Sequence, residues 1–118
     1  MSTLKTINIY HSSSANANIV LLSNTDVVMS GNLTVSRSAT VAGNVSPSSS
    51  NTYDLGSSTA RWRNIYTGDL HLSNRSNEDG NIVDGTTGDW TIQEGAENLY
   101  IINNKSGKKY KFSLQEIV

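Results

Sequence analysis

The chain has 118 residues, of which 36% are hydrophobic and 16% charged, so it has material for one modest core and is poorer in both classes than ordinary globular domains. A net charge of −1 and a pI near 6.0 argue against a general nucleic-acid binder or a ligand of acidic membranes, and against charge-driven disorder. Ser (18), Asn (14) and Thr (11) together exceed a third of the chain, and cysteine is absent, which excludes disulfides, thiolate metal sites and a cysteine nucleophile.

The N-terminal stretch MSTLKTINIYHSSS lacks the apolar middle region of a secretion signal, so folding in a cytoplasm is expected. Residues 1–50 carry only Lys5, Asp26 and Arg37 as charged side chains; the other 16 fall in 51–118. Two parts follow: a slender, neutral N-terminal attachment or shaft segment over 1–50, and a compact β-domain over 51–118. Ile19-Val20-Leu21-Leu22 is the longest apolar run. It has the length of a strand, far short of the roughly 20 residues of a membrane helix.

From Gly31 the glycines punctuate the chain at Gly43, Gly56, Gly68 and Gly80, and Gly95 and Gly107 repeat the interval of 12. Turn signals at that spacing mark an all-β protein of short strands. Leu33 and Val35 share one face with Thr34 opposite, and GNLTVS at 31–36 echoes as GNVS at 43–46. A stripe of two or three such residues, at about 1.5–3 kcal/mol each, does not offset the roughly 1–2 kcal/mol per residue of backbone ordering. These stripes call for copies of the chain wound together. SPSSSN at 46–51, with the only proline, reads as the joint between the parts.

One short helix is expected over Thr59–Asn64, capped by Ser57 or Ser58, with Trp62, Ile65 and Tyr66 facing inward. Beyond it, Leu70 and Leu72 flank His71, and Tyr110, Phe112 and Leu114 alternate with Lys109, Lys111 and Ser113, the period of half-buried strands. Asp79-Gly80 and Asp84-Gly85 mark tight turns. Asn103–Gly107 reads as a hairpin loop joining Leu99–Ile102 to Lys108–Leu114.

The string NTYDLGSSTARWRNIYTGDLHLSN at 51–74 resembles a segment recurrent in tailed-bacteriophage fibre and virion structural proteins, DLGSSxxRWxNIYxGxLxLSN. Its matches run from Asp54, Leu55 and Gly56 through Arg61, Trp62, Asn64, Ile65 and Tyr66 to Leu70, Leu72, Ser73 and Asn74. VDG (83–85), WTIQEG (90–95), LYIIN (99–103) and SGKKYKFSLQEIV (106–118) are similar to a C-terminal module of cyanophage virion proteins. The opening MSTLKTINI is similar to the start of many such fibre proteins. The resemblance implies a non-enzymatic virion protein, assembled in the host bacterial cytoplasm as an intertwined homotrimer. In some phage fibres the first segment precedes a self-cleaving chaperone with a Ser/Lys dyad and long helices. Here 52 strand-like residues follow Tyr66, and no cleavage activity is carried over.

The chemical constellations are thin. His11 and His71 lie 60 residues apart, without the repeated pair that holds a metal on a fibre axis. Asn77–Asn81 with Asp84 and Asp89 lacks the DxDxDG spacing of a calcium loop, and Asx-Gly turns explain its composition. Arg61-Trp62-Arg63 with Tyr66 has the residues to stack on sugars or bases, but with aromatics at only 7% a core or interface anchor is the better use of Trp62. There is no GxSxG, HExxH, GxGxxG or P-loop, and no paired-carboxylate signal of a carbohydrate-active enzyme. The four N-x-S/T triplets carry no meaning without secretion.

The expectation is therefore an all-β phage protein with no catalytic residue, cofactor or metal. Leu33, Val35, Leu55, Trp62, Ile65 and Tyr66 are its trimer or core anchors. Lys105, Lys108, Lys109 and Lys111 are a surface cluster suited to an acidic capsid surface or a host glycan, or a solvated strand face that discourages wrong pairing. Its partners are itself and the major capsid protein or other virion proteins, with neither nucleic acid nor membrane. A capsid decoration (cement) protein or head fibre competes with a short tail fibre or fibre tip that binds a host receptor. A shaft over 30–50 reaches about 70 Å at full extension, short for reaching a cell and adequate for gripping a shell.

Overall fold

Alternating side chains make a strand only where a second strand supplies the ladder, and among the described residues that condition is met in two places. The computed structural model describes residues 26–118 and the backbone of Ile19–Leu21. The chain divides into two units, Met1–Asn44 and Val45–Val118.

In the first unit, β1 (Ile19–Leu21) pairs antiparallel with β2 (Val27–Met29), with Val20 opposite Val28. All three β2 side chains are exposed. A two-stranded ladder of this length is marginal by itself. Residues 30–69 contain no strand. The Leu33/Val35 stripe thus lies on backbone without a ladder, because a single chain offers it no partner. His11 lies outside the described residues.

The short helix expected over Thr59–Asn64 does not form, and no helix occurs among the described residues. Its cap forms alone. Ala60 N donates to Ser57 Oγ at 3.0 Å, and Ser57 N donates to the Ala60 carbonyl at 2.9 Å. That amide is one of the donors a helix start leaves without an intrahelical partner, so the bond is a cap with no helix behind it. Six residues with no surface to pack on do not repay helix nucleation. Gly56, at φ 87, lets the chain turn beneath the Trp62 indole; a Cβ there would meet Trp62 Cδ1 at 3.5 Å and the Ala60 carbonyl oxygen at 3.0 Å.

The second unit is built on a four-stranded antiparallel meander, β3 (Leu70–Ser73), β4 (Asp89–Glu94), β5 (Leu99–Asn103) and β6 (Lys109–Lys111), in sequential order. The expected β5–β6 hairpin is present, but its second strand ends at Lys111, short of the expected Leu114, which is left 71% exposed on backbone with no ladder partner. Asn103 Oδ1 accepts from Lys105 N at 3.0 Å and Ser106 N at 3.1 Å, while Gly107 (φ 72) donates its amide to the Asn103 carbonyl at 2.8 Å. β4 and β5 are joined by a tight loop in which Gly95 N donates to the Asn98 carbonyl at 2.8 Å.

The β3–β4 connection, 74–88, is held by its own Asx side chains. Gly88 N donates to Asn74 Oδ1 at 2.6 Å, and Asn77 Nδ2 to the Gly80 carbonyl at 2.7 Å. Asn81 Oδ1 accepts from Val83 N and Asp84 N at 2.8 and 3.1 Å. Gly80 and Gly85 stand at φ 69 and 70, the turn positions expected for them. The fold is all-β.

Candidate interaction surface

Strand register sorts the sheet into two unlike faces. Leu70 pairs Ile92 and Leu72 pairs Trp90; Ile92 in turn pairs Ile101, and Ile101 pairs Tyr110. Directly paired residues share a face, so these six side chains form one apolar surface. Trp90 and Tyr110 meet across it with ring centroids 6.1 Å apart. Among the described residues none covers this face fully: Leu70, Leu72 and Tyr110 remain 45–47% exposed.

The opposite face carries a hydrogen-bonded polar cluster beside Ile102 and Tyr100. Its centre is Thr91, only 4% exposed. Thr91 Oγ1 accepts from Asn104 Nδ2 at 2.9 Å and lies 3.0 Å from His71 Nδ1. With Asn104 on one lone pair, the hydroxyl proton is free to go to His71. Asn104 Nδ2 also donates to Asp89 Oδ1 at 2.9 Å, and Arg75 Nη1 lies 3.1 Å from Asp89 Oδ2. The Asn104 hydrogen bond, helped by the Arg75 bond and charge, holds the Asp89 carboxyl below its ordinary pKa against the opposing effect of desolvation. Asp84 is lowered by the Thr86 hydroxyl and amide and by Asn81 Nδ2.

Among the described residues, only Thr91 and Gly80 are buried, and no hydrophobic side chain is. The six anchors expected from the sequence are likewise uncovered in the single chain: Leu33 68%, Val35 47%, Leu55 79%, Trp62 62%, Ile65 71% and Tyr66 93% exposed. Leu55, Trp62, Ile65 and Tyr66 lie on one strandless segment, 51–69, that leads into β3. We refer to it as the arm. It is tied down at both ends, by Ser50 Oγ 3.3 Å from Ser76 Oγ and by Gln93 Nε2 donating to Asp69 Oδ2 at 3.0 Å.

The four lysines have different surroundings. Lys105 Nζ donates to the Thr87 carbonyl at 2.9 Å, so it braces the 74–88 loop. Lys109 and Lys111 project from the face opposite Tyr110, as the alternation predicts, and all four are exposed. An open cleft of about 740 Å³ lies where the loop meets the sheet, lined among others by His71, Asn74, Asn81, Asp84, Trp90 and Lys105. Asn74, Asn81, Asp84 and Lys105 are already bonded to the loop itself, so the cleft is braced scaffolding more than a reactive pocket. No group of three or more His, Asp or Glu side chains among the described residues is placed to hold a metal ion.

Sequence reasoning found Leu70, Leu72 and Tyr110 as face residues but passed over Trp90, Ile92 and Ile101. The period-2 signal was there, in WTI and YII, yet only register brings those strands together. No protein family, curated protein or solved structure matches this chain.

Proposed function

We propose that this chain is a non-enzymatic subunit of a homotrimeric tailed-phage virion protein, a capsid decoration (cement) protein or head fibre that binds and stabilises the shell. The observation that carries the reading is the absence of any buried hydrophobic side chain among the described residues. Unassigned apolar surface of this extent belongs to a protein whose core is completed by other chains. A trimer suits it because self-association of three copies buries surfaces that one copy cannot. The virion assignment draws on the resemblance at 51–74 and 83–118. In this reading the nearly uncharged residues 1–50 attach to the shell by strand addition, where main-chain bonds supply affinity and few charges must be desolvated. The charged residues of 51–118 face water.

Two measurements test it. Light scattering on purified protein should give about three times the 12.8 kDa chain mass, and a density map of purified particles should show the protein at regular positions on the capsid lattice. A monodisperse monomer, or particles lacking the protein on the shell, would overturn the reading. Density on the tail instead would make it a fibre that contacts the host.

A further inference from the structure

The single chain presents two separate apolar surfaces within its second unit, and neither covers the other. One is the sheet face of Leu70, Leu72, Trp90, Ile92, Ile101 and Tyr110. The other is the arm, where Tyr53, Leu55, Trp62, Ile65 and Tyr66 are each more than 60% exposed. The arm is tied at its two ends, at Ser50–Ser76 and Asp69–Gln93, and in the single chain its apolar side chains stay exposed. Its backbone is also largely unpaired, with the Ser57–Ala60 turn as its main internal bond, and such backbone needs partners once water is excluded.

We propose that the arm of one copy lies across the apolar sheet face of the next, so that each subunit's core is completed by its neighbour. The occupant of the sheet face is thus a second copy of this chain, and specifically its residues 53–66. The inference rests on the self-associating reading above and names the surfaces that meet. Symmetry supports it. A closed ring of three requires a head-to-tail junction between two different, complementary patches on each copy, and this chain carries such a pair. Area supports it too. At roughly 200 Å² per large side chain, the five arm side chains expose about 750 Å² and Leu70, Leu72 and Tyr110 about 275 Å². Full coverage of these alone would bury about 1,000 Å² per junction, the threshold for a specific interface, and a closed ring contains three. None of the eleven named side chains is charged, and docking desolvates no ion pair as long as Asp54, Arg61 and Arg63 of the arm and Glu94 at the end of β4 stay at the rim.

The absence of cysteine makes the test clean. The double variant Ile65→Cys with Leu72→Cys, treated with a mild oxidant and run without reductant, should give covalent dimers and trimers, while each single variant stays at chain mass. Tyr66→Cys with Leu70→Cys serves as an independent pair should the first fail to fold, checked by circular dichroism. A trimer by light scattering in which Leu72→Cys alone cross-links would show sheet faces meeting each other, and would overturn this inference while leaving the self-associating reading intact. A bond confined within one chain, or a trimer with no cross-link in either pair, would also overturn it. A folded monomer would overturn both.

Discussion

Gly80→Ala tests how the 74–88 loop is built. Gly80 is buried, stands at φ 69, and a Cβ there would fall on the Gly85 carbonyl group and within 2.9 Å of Thr86 N. Gly85 has nearly the same backbone, φ 70, but open space where its Cβ would go. The pair separates two costs. Left-handed backbone costs a non-glycine residue about 1–2 kcal/mol, and Gly85→Ala should lose only that. Gly80→Ala must also push apart two backbone segments. That displacement threatens the Gly80–Asn77, Asn81–Thr86 and Gly85–Asn81 amide bonds, at 3.1, 3.0 and 2.9 Å. Losing two of these, at about 0.5–1.5 kcal/mol each, brings the expected total to about 2–5 kcal/mol. Thermal unfolding followed by circular dichroism, at one fixed chain concentration because assembly shifts apparent stability, should place Gly80→Ala clearly below Gly85→Ala. A drop of about 4–8 °C per kcal/mol is expected for a unit of this size. Equal melting temperatures for the two variants would refute the close backbone approach.

Two further outcomes are expected. Thr91→Val exchanges a hydroxyl for a methyl at the most buried side chain among the described residues, and should lose about 1 kcal/mol in urea unfolding because Asn104 and His71 lose a partner; an unchanged or higher midpoint would show that the site behaves as apolar core. Asp84 and Asp89 have lowered pKa values when folded, so the unfolded chain binds more protons in acid, and their stabilisation is complete above the unfolded aspartate value of about 3.9 and lost as pH falls through the folded values. Urea midpoints measured from pH 6 down to 3 should fall, and fall less in Asp89→Asn; parallel profiles would refute the assignment.

Much of the fold was legible in the sequence because its causes are local. The Asn103–Gly107 hairpin loop, the left-handed turns at Gly80 and Gly85 and the alternation of Leu70/Leu72 against His71 each depend on a few consecutive residues, and each is found. The short helix was the local signal that failed. The Ser57 cap is real, but six residues with nothing to pack against cannot extend it. What needed the tertiary structure is everything that depends on register. Thr91, an unremarked letter between Trp90 and Ile92, becomes the buried centre of the polar cluster only because β4 sets it beside His71 and the β5–β6 loop brings Asn104 to it. Trp90 finds Tyr110 across two intervening ladders, 20 residues away in sequence. Composition determined that this chain is poor in apolar residues, at 36%. The tertiary structure decided which of the few it has are gathered on one sheet face and which are left on the arm, because side-chain period is a property of one strand, whereas a shared face is a property of strands paired in register.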